Sequence, residues 1–374
     1  MNAAHAWRDA RRILAVRLDN LGDVLMTTPA LRALKESHPG RHVTLLTSRS
    51  GAAAAPNIPE IDAVLTAEAP WMPGTQCPER AGRGLVDMLR ARRFDAAVIF
   101  TVYSQSALPA ALACVEAGIA LRLAHSRENP YALVTDWVPD PEPYTLIRHE
   151  VRRQLDLVAT IGARTANEKL SFRVRPEEAA QAMGKLRRAG VDLESRWVVV
   201  HPGASAPSRR YPAQQFAQAI DALLERRDLQ VVLTGSDAER ALVESIRATA
   251  RRPAFSLAGE LTLGELAAVL APAAMLIANN TGPVHLAAAL GTPVVDLYAV
   301  TNPQHAPWQV PHRVLFEDVP CRFCYRSVCK QRHNDCLRGV SPERVAAAAR
   351  SLLERGADRC EVAHALGAPL GLVS

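Results

Sequence analysis

Three short stretches place polar and flexible residues where an apolar run hands over to a helical one. In LDNLGDVLMTTPAL (18–31), Gly22 allows a tight bend and puts Asp23 in the first helical turn. A carboxylate there complements the positive end of the helix dipole, and it can equally serve as a base at a strand end. HPGASAPSRRYP (201–212) exposes backbone N–H groups beside Arg209 and Arg210, the means by which phosphate oxygens are held, although a solvated loop reads the same way. In NNTGPVHLAAALG (279–291), Thr281 is placed to cap a helix, Gly282 permits close backbone approach and Pro283 presets the first turn. His285 falls one turn later on an apolar face, where it is either a hydrogen-bonded core residue or a ligand contact. Two such turns at neighbouring strand ends suit a diphosphate. Neither follows the lysine-containing phosphate loop or the first-strand dinucleotide fingerprint, which disfavours a dehydrogenase.

A fourth feature is the array Cys321, Cys324, Cys329, Cys336, with His333 inside it. Four thiolates so spaced can ligate zinc or iron as a structural knuckle, and they can equally be reduced thiols in a loop. Cys77, Cys114 and Cys360 are isolated.

These turns need strands and helices to hold them. Ile13–Leu18 reads as a strand, 24–37 as a helix and HVTLLTS as the next strand, a βαβ unit that implies a parallel sheet. DAAVIF (95–100) and GIALRLA (118–124) add strands, with helices over 106–116 and 147–162, while 51–83 gives no clear pattern. The alternation then repeats. RWVVVHPG reads as a strand ending in a loop, LQVVLTG, MLIANN and TPVVDLY read as strands, and helices open at Ser236–Glu239 and Thr262–Glu265 with capping-box spacing. Gly291 stops the helix after Pro283, and a last helix covers 341–356. Two domains follow, 1–180 and 181–374, the second including the cysteine-rich segment 321–336.

Composition fits this reading. The chain has 374 residues, 48% hydrophobic and 22% charged, with a net charge of +6. Such a mild excess, without basic blocks interleaved with aromatics, argues against nucleic acid as a partner. No stretch reaches the ~18–20 apolar residues that span a bilayer. The start carries Asp9 and too short an apolar core for a signal peptide, so a cytoplasmic protein is expected. Arg122, Arg127, Arg148, Arg152 and Arg153 suggest a face for an anionic acceptor or for lipid headgroups at the inner membrane, or a plain solvated surface.

Taken together, VRLDNLGDVLMTTPALRALKESHP, VVVHPGASAPSRRYPAQQF, VVLTGSDAER and ANNTGPVHLAAALGTPVVDLY resemble the ADP-heptose:lipopolysaccharide heptosyltransferases, family 9 of the glycosyltransferases, over residues 11 to about 355. The resemblance implies an α/β, GT-B fold: two Rossmann-like doubly wound domains facing a central cleft, acceptor on the first and nucleotide sugar on the second. It implies an inverting, metal-independent transfer of heptose from ADP-heptose to a lipopolysaccharide core or related surface glycan, with Asp23 as general base. Ala204, Ser205, Arg209, Thr281 and Gly282 would lie along the pyrophosphate, with His285 near it. Glu239 would hold the ribose and Leu261 would border the adenine. Some relatives carry a similar cysteine-rich finger that binds iron.

The chain departs from that pattern in three places. Asn280 stands where members carry an Asp that contacts the donor sugar. RRYP replaces Lys-x-Trp-Pro, and Asp19 and Asn20 replace small residues beside the acceptor. Asn280 motivates a second expectation, another nucleotide sugar with a protein or small-molecule acceptor. A non-catalytic relative is a third, which the retained Asp23, Arg209 and Glu239 disfavour.

Overall fold

A computed structural model of the chain describes residues 3–72, 77–225, 228–299 and 302–354. Cys360 and the last residues of the helix expected to reach 356 lie outside the described residues. The chain divides into two compact units, with the division between Phe172 and Arg173. A cut at 180 would split the helix Pro176–Arg188, which packs on Leu263–Leu270 of the second unit, so the whole helix belongs there.

The first unit is a six-stranded parallel sheet: β1 (Arg12–Arg17), β2 (His42–Thr47), β3 (Ala63–Thr66), β4 (Ala96–Ile99), β5 (Leu121–Ser126) and β6 (Asp136–Pro139). Its strand order is β3-β2-β1-β4-β5-β6. Its helices are α1 (Ala3–Asp9), α2 (Leu21–Glu36), α3 (Arg49–Ala52), α4 (Pro78–Arg92), α5 (Leu108–Glu116) and α6 (Glu150–Ala159). The interiors of the central strands β1 and β4 are apolar because helices cover both faces; Ile13, Leu14, Ala97 and Val98 are fully enclosed.

The second unit repeats the plan with β7 (Arg196–His201), β8 (Leu229–Leu233), β9 (Phe255–Ser256), β10 (Met275–Asn279), β11 (Val294–Leu297) and β12 (His312–Leu315), in the order β12-β11-β10-β7-β8-β9. Its helices are α7 (Pro176–Arg188), α8 (Ala213–Leu223), α9 (Arg240–Thr249), α10 (Leu263–Leu270), α11 (Gly282–Leu290), α12 (Asp335–Arg338) and α13 (Pro342–Glu354). Read from each unit's first strand, the order is 3-2-1-4-5-6 in both, the doubly wound Rossmann arrangement. In each, the order reverses beside the first strand, between β1 and β4 and between β7 and β10. Ligands of such sheets bind there, outside the carboxyl ends of the strands.

The edge strands are where the pattern of the sequence fails. β6, β9 and β12 have between two and four residues and are only partly buried, so they carry no continuous apolar run. The stretch 51–83, without a clear pattern, contains β3, part of α3 and the start of α4. Gly22 differs too: it is already helical, the second residue of α2, and the bend is made by Leu18–Asn20.

Candidate functional site

At the end of β1, Arg17 points into the protein and is fully buried. Its guanidinium meets Glu150 at 2.7 Å, Asp19 at 2.9 Å and Asp23 at 3.2 Å. Burial works against this charge, but the carboxylates of Glu150, Asp19 and Asp23 outweigh it and raise the arginine's pKa above its ordinary value. Asp23 is held from two sides. One carboxylate oxygen faces Arg17 and the other accepts from the Asn20 backbone N–H at 3.1 Å, closing the capping box of α2. Asp23 thus takes the helix-capping place, and its side chain is about 15% exposed. Burial, countered by Arg17, raises the Asp19 pKa, and Gln105 donates to its carboxylate at 2.7 Å.

Asp19 also borders a cavity of about 350 Å³ at the ends of β1 and β4, together with Leu18, Trp71, Phe100, Gln105 and Ser106. Neither Arg17 nor Glu150 stands out in the sequence. An arginine closing an apolar strand was the available signal for the first, whereas Glu150 is brought in by α6 from more than a hundred residues away.

The arginine-rich stretches are mostly engaged within the first unit, against the expectation of a docking face. Arg153 is buried against Asp140 at 2.8 Å and Glu142 at 2.5 Å. Arg148 pairs with Glu142 and Asp156, Arg152 with Glu168, and Arg122 donates to the carbonyls of Leu133 and Ala132. Arg127 is exposed and reaches the Glu142 carbonyl at 3.4 Å. All five donate to local acceptors, Arg127 through a single long bond, which the charge pattern alone does not reveal.

In the second unit the strand ends carry amides and backbone groups instead. The two asparagines after β10 have separate jobs. Asn279 is fully buried, donating to the Pro202 carbonyl at 2.7 Å and accepting from the Tyr211 N–H at 3.0 Å, so it ties both ends of the 202–211 loop to the sheet. Asn280 donates from Nδ2 to Asp296 Oδ2 at 2.8 Å and to the His305 carbonyl at 2.9 Å. Asp296, on β11, is fully buried, and burial pushes its pKa up to about 8 against the opposing bond from Asn280.

Thr281 occupies the N-cap of α11, but its hydroxyl does not cap the helix; it donates to the Asn279 carbonyl at 3.2 Å. The first N–H groups of α11 keep no side-chain cap, and Thr281, Gly282 and Pro283 are partly exposed. His285 is buried and stacks edge-to-face on His305, with ring centroids 6.3 Å apart. Gly291, at φ +79, ends the helix in the left-handed region.

Of the two arginines in the 201–212 loop, Arg210 donates to the Ala204 carbonyl at 2.8 Å and so braces the loop. Arg209 closes a short 3₁₀ turn, and its Nε makes no hydrogen bond among the described residues. Ser205 is exposed. Tyr211, in place of the expected Trp, donates from its hydroxyl to the Val340 carbonyl at 2.7 Å. Glu239 accepts from the Ser236 N–H and hydroxyl, both at 2.8 Å, and its carboxylate lies over Gly203; a Cβ at Gly203 would sit 1.9 Å from the Glu239 Oε1. Leu261 is half-buried just before the capped start of α10.

The cysteine-rich segment touches this loop. Ser208 donates its N–H to the Ser327 carbonyl at 3.0 Å and its hydroxyl to the Arg326 carbonyl at 2.6 Å. The four thiols share one neighbourhood: burial, together with Cys321, Cys329 and Cys324, pushes the Cys336 thiol up to about 11. Cys321 Sγ lies 3.9 Å from His333 Nε2, and among the described residues no three ligand side chains converge on one point.

A family model described as glycosyltransferase family 9 (heptosyltransferase) matches residues 83–334. The chain belongs to glycosyltransferase family 9. Lipopolysaccharide heptosyltransferase 3 of Escherichia coli K12 is 26% identical over 297 residues, covering 77% of this chain and 82% of that protein. A family 9 glycosyl transferase from Veillonella parvula superposes with a TM-score of 0.78 at 22% identity, over 92% of this chain and 98% of that one. The ADP-heptose lps heptosyltransferase II of E. coli gives a TM-score of 0.71 at 23% identity, over 92% and 99%. These likenesses establish a heptosyltransferase-type GT-B fold of two parallel six-stranded sheets. No helix among the described residues is long and apolar enough to cross a membrane.

Proposed function

We propose that this family 9 protein is an inverting glycosyltransferase that moves heptose from ADP-heptose to a hydroxyl of a lipopolysaccharide core or related surface glycan, in the cytoplasm. The observation that carries the reading is Asp23: a partly exposed carboxylate at the switch point of the first sheet, oriented by Arg17 and by the Asn20 N–H. It takes the proton of the acceptor hydroxyl as that oxygen bonds to the anomeric carbon. The bond from that carbon to the diphosphate oxygen breaks, and the leaving diphosphate carries away the negative charge. The cavity beside Asp19 and Gln105 receives the acceptor sugar, with Trp71 offering an apolar face. Asn20 acts through the capping box, and Arg127 is the one arginine of its group left at the surface.

On the donor side, Arg209, Ser205 and the uncapped start of α11 at Thr281 and Gly282 meet the diphosphate. Glu239 takes the ribose hydroxyls, Leu261 borders the adenine and His285 supports the helix start from within. These residues supply the charge stabilisation without a catalytic metal. Asn280 favours a second reading, a different nucleotide sugar. Calorimetric titration with ADP, GDP and UDP tests both: selective ADP binding, with release of ADP from ADP-heptose, is expected. Preference for GDP or UDP would overturn the donor assignment.

Cys321, Cys324, Cys329 and Cys336, with His333 beside Cys321, have the donor chemistry for zinc or iron, but no three of them converge among the described residues, so these side chains would have to close in to hold a metal, which would then stiffen the segment bracing Ser208. Anaerobically purified protein should carry about one equivalent of metal; less than about a tenth of an equivalent sinks the idea.

A further inference from the structure

We propose that Asn280 and Asp296 work as one unit, in which Asp296 locks the Asn280 amide so that its Oδ1 is presented beside the start of α11 as an acceptor for a hydroxyl of the donor sugar. The inference rests on the donor-binding reading of this strand end and names a specificity-determining pair within it.

An amide NH₂ has two hydrogens, and here both are engaged. One goes to Asp296 Oδ2 at 2.8 Å and the other to the His305 carbonyl at 2.9 Å. A backbone carbonyl only accepts, and Asp296 Oδ2 accepts whether or not the other carboxyl oxygen carries a proton. The amide therefore cannot be turned round without losing both bonds, which settles its orientation. The remaining polar atom, Oδ1, has no hydrogen bond among the described residues. It lies one residue ahead of Thr281, whose own hydroxyl is turned back to Asn279. A neutral side chain thus offers what one oxygen of a carboxylate would offer, and a ligand group must donate to it.

Asp296 has no other evident task. It stands on a central strand between Val295 and Leu297, opposite Ala278, with no exposed surface. Its Oδ1 makes no hydrogen bond, and Asn280 is its hydrogen-bonding partner. A buried carboxyl with half its bonding capacity unused costs stability, so an apolar residue would serve this strand better. The carboxyl is in effect set one strand behind the position that meets the ligand, and a neutral amide stands in front of it. A sugar hydroxyl is favoured there, and a group that can only accept is rejected, because it would face Oδ1 with no hydrogen between them.

The test is a set of variants read by ADP affinity, donor KM, kcat and thermal unfolding. Asn280→Ser removes the acceptor and should raise donor KM about tenfold, the loss of roughly one hydrogen bond, with ADP affinity unchanged. Asp296→Asn keeps an acceptor for the Asn280 amide and should stay within about threefold of wild type. Asn280→Asp sets a second carboxyl against Asp296 and the His305 carbonyl, and should lose at least about tenfold in donor kcat/KM and lower the unfolding temperature. The double variant N280D/D296N removes the clash with residue 296 but not that with the His305 carbonyl, so it should recover part of both losses and the cycle is non-additive. Additive effects, or an ADP affinity that falls in step with donor KM, would overturn the pair while leaving the donor assignment standing. If Asn280→Asp does not fold, Asn280→Ser decides alone: an unchanged donor KM overturns the proposal. Failure of the wild type to bind ADP would overturn both readings together.

Discussion

The two units share one strand order and one place for chemistry, yet they furnish it in opposite ways. At the end of β1 a buried cation, Arg17, is ringed by three carboxylates, two of which, Asp19 and Asp23, are partly exposed. At the ends of β7 and β10 the buried groups are amides, and the cation Arg209 belongs to a surface loop. The first arrangement offers an oriented carboxylate to something that gives up a proton. The second offers N–H dipoles and an arginine to something that gains charge. The doubly wound sheet fixes where these sets stand; a handful of residues past the strand ends decides what they do.

This contrast can be broken most sharply at Asp23. Asp23→Asn keeps the contact with Arg17 and removes the base, and turnover should fall by about 10²–10⁴ while ADP affinity, a property of the other unit, stays within about twofold. Turnover that survives would remove Asp23 from the reaction. Arg17→Leu should come next, because it strands Glu150, Asp19 and Asp23 around an apolar side chain; a loss of about 3–5 kcal/mol in chemical unfolding is expected. Arg17→Lys should lie in between, since it keeps the charge and gives up the fork that reaches three carboxylates. An Arg17→Leu protein as stable as wild type would mean the cluster contributes nothing to the fold.

The smallest effect probes the second unit through pH. The folded-state pKa of Asp296, about 8, lies above its ordinary value of 3.8. The folded protein therefore keeps a proton that the unfolded chain releases. The stability tied to this group is complete below the lower value, declines as pH rises through the interval, and is gone above the upper one. Unfolding temperatures of wild type and Asp296→Asn should diverge in favour of the variant between pH 5 and about pH 8, then run parallel. Curves that run parallel throughout would mean that Asp296 is ionised at neutral pH.

Much of this organisation is legible in the sequence, and the exceptions have physical causes. The long central strands and the helices with capping boxes at Thr262 and Ser236 are visible because buried strands leave apolar runs and caps leave fixed spacings. The edge strands β6, β9 and β12 escape because half-exposed pairs or quartets of residues leave neither. At the candidate site, Asp23, Arg209 and Asn280 announce themselves by position in a turn. Glu150 and Asp296 do not, since each matters through a partner brought to it only by folding. The same reasoning explains the arginines of the first unit: charge is visible in a sequence, but its neutralisation by Asp140, Glu142 and Glu168 is a tertiary fact.

The loop 202–211 is held at both ends and within its length. Asn279 fastens its two ends, Arg210 clips its middle to Ala204, and Ser208 is moored to the cysteine-rich segment. A loop tethered at three points and braced internally has surrendered most of its freedom before any nucleotide arrives, so a diphosphate need not impose order on it. The exposed Ser205 then rides on a rigid mount, and affinity in this half of the protein should respond to the moorings as much as to the contacts themselves.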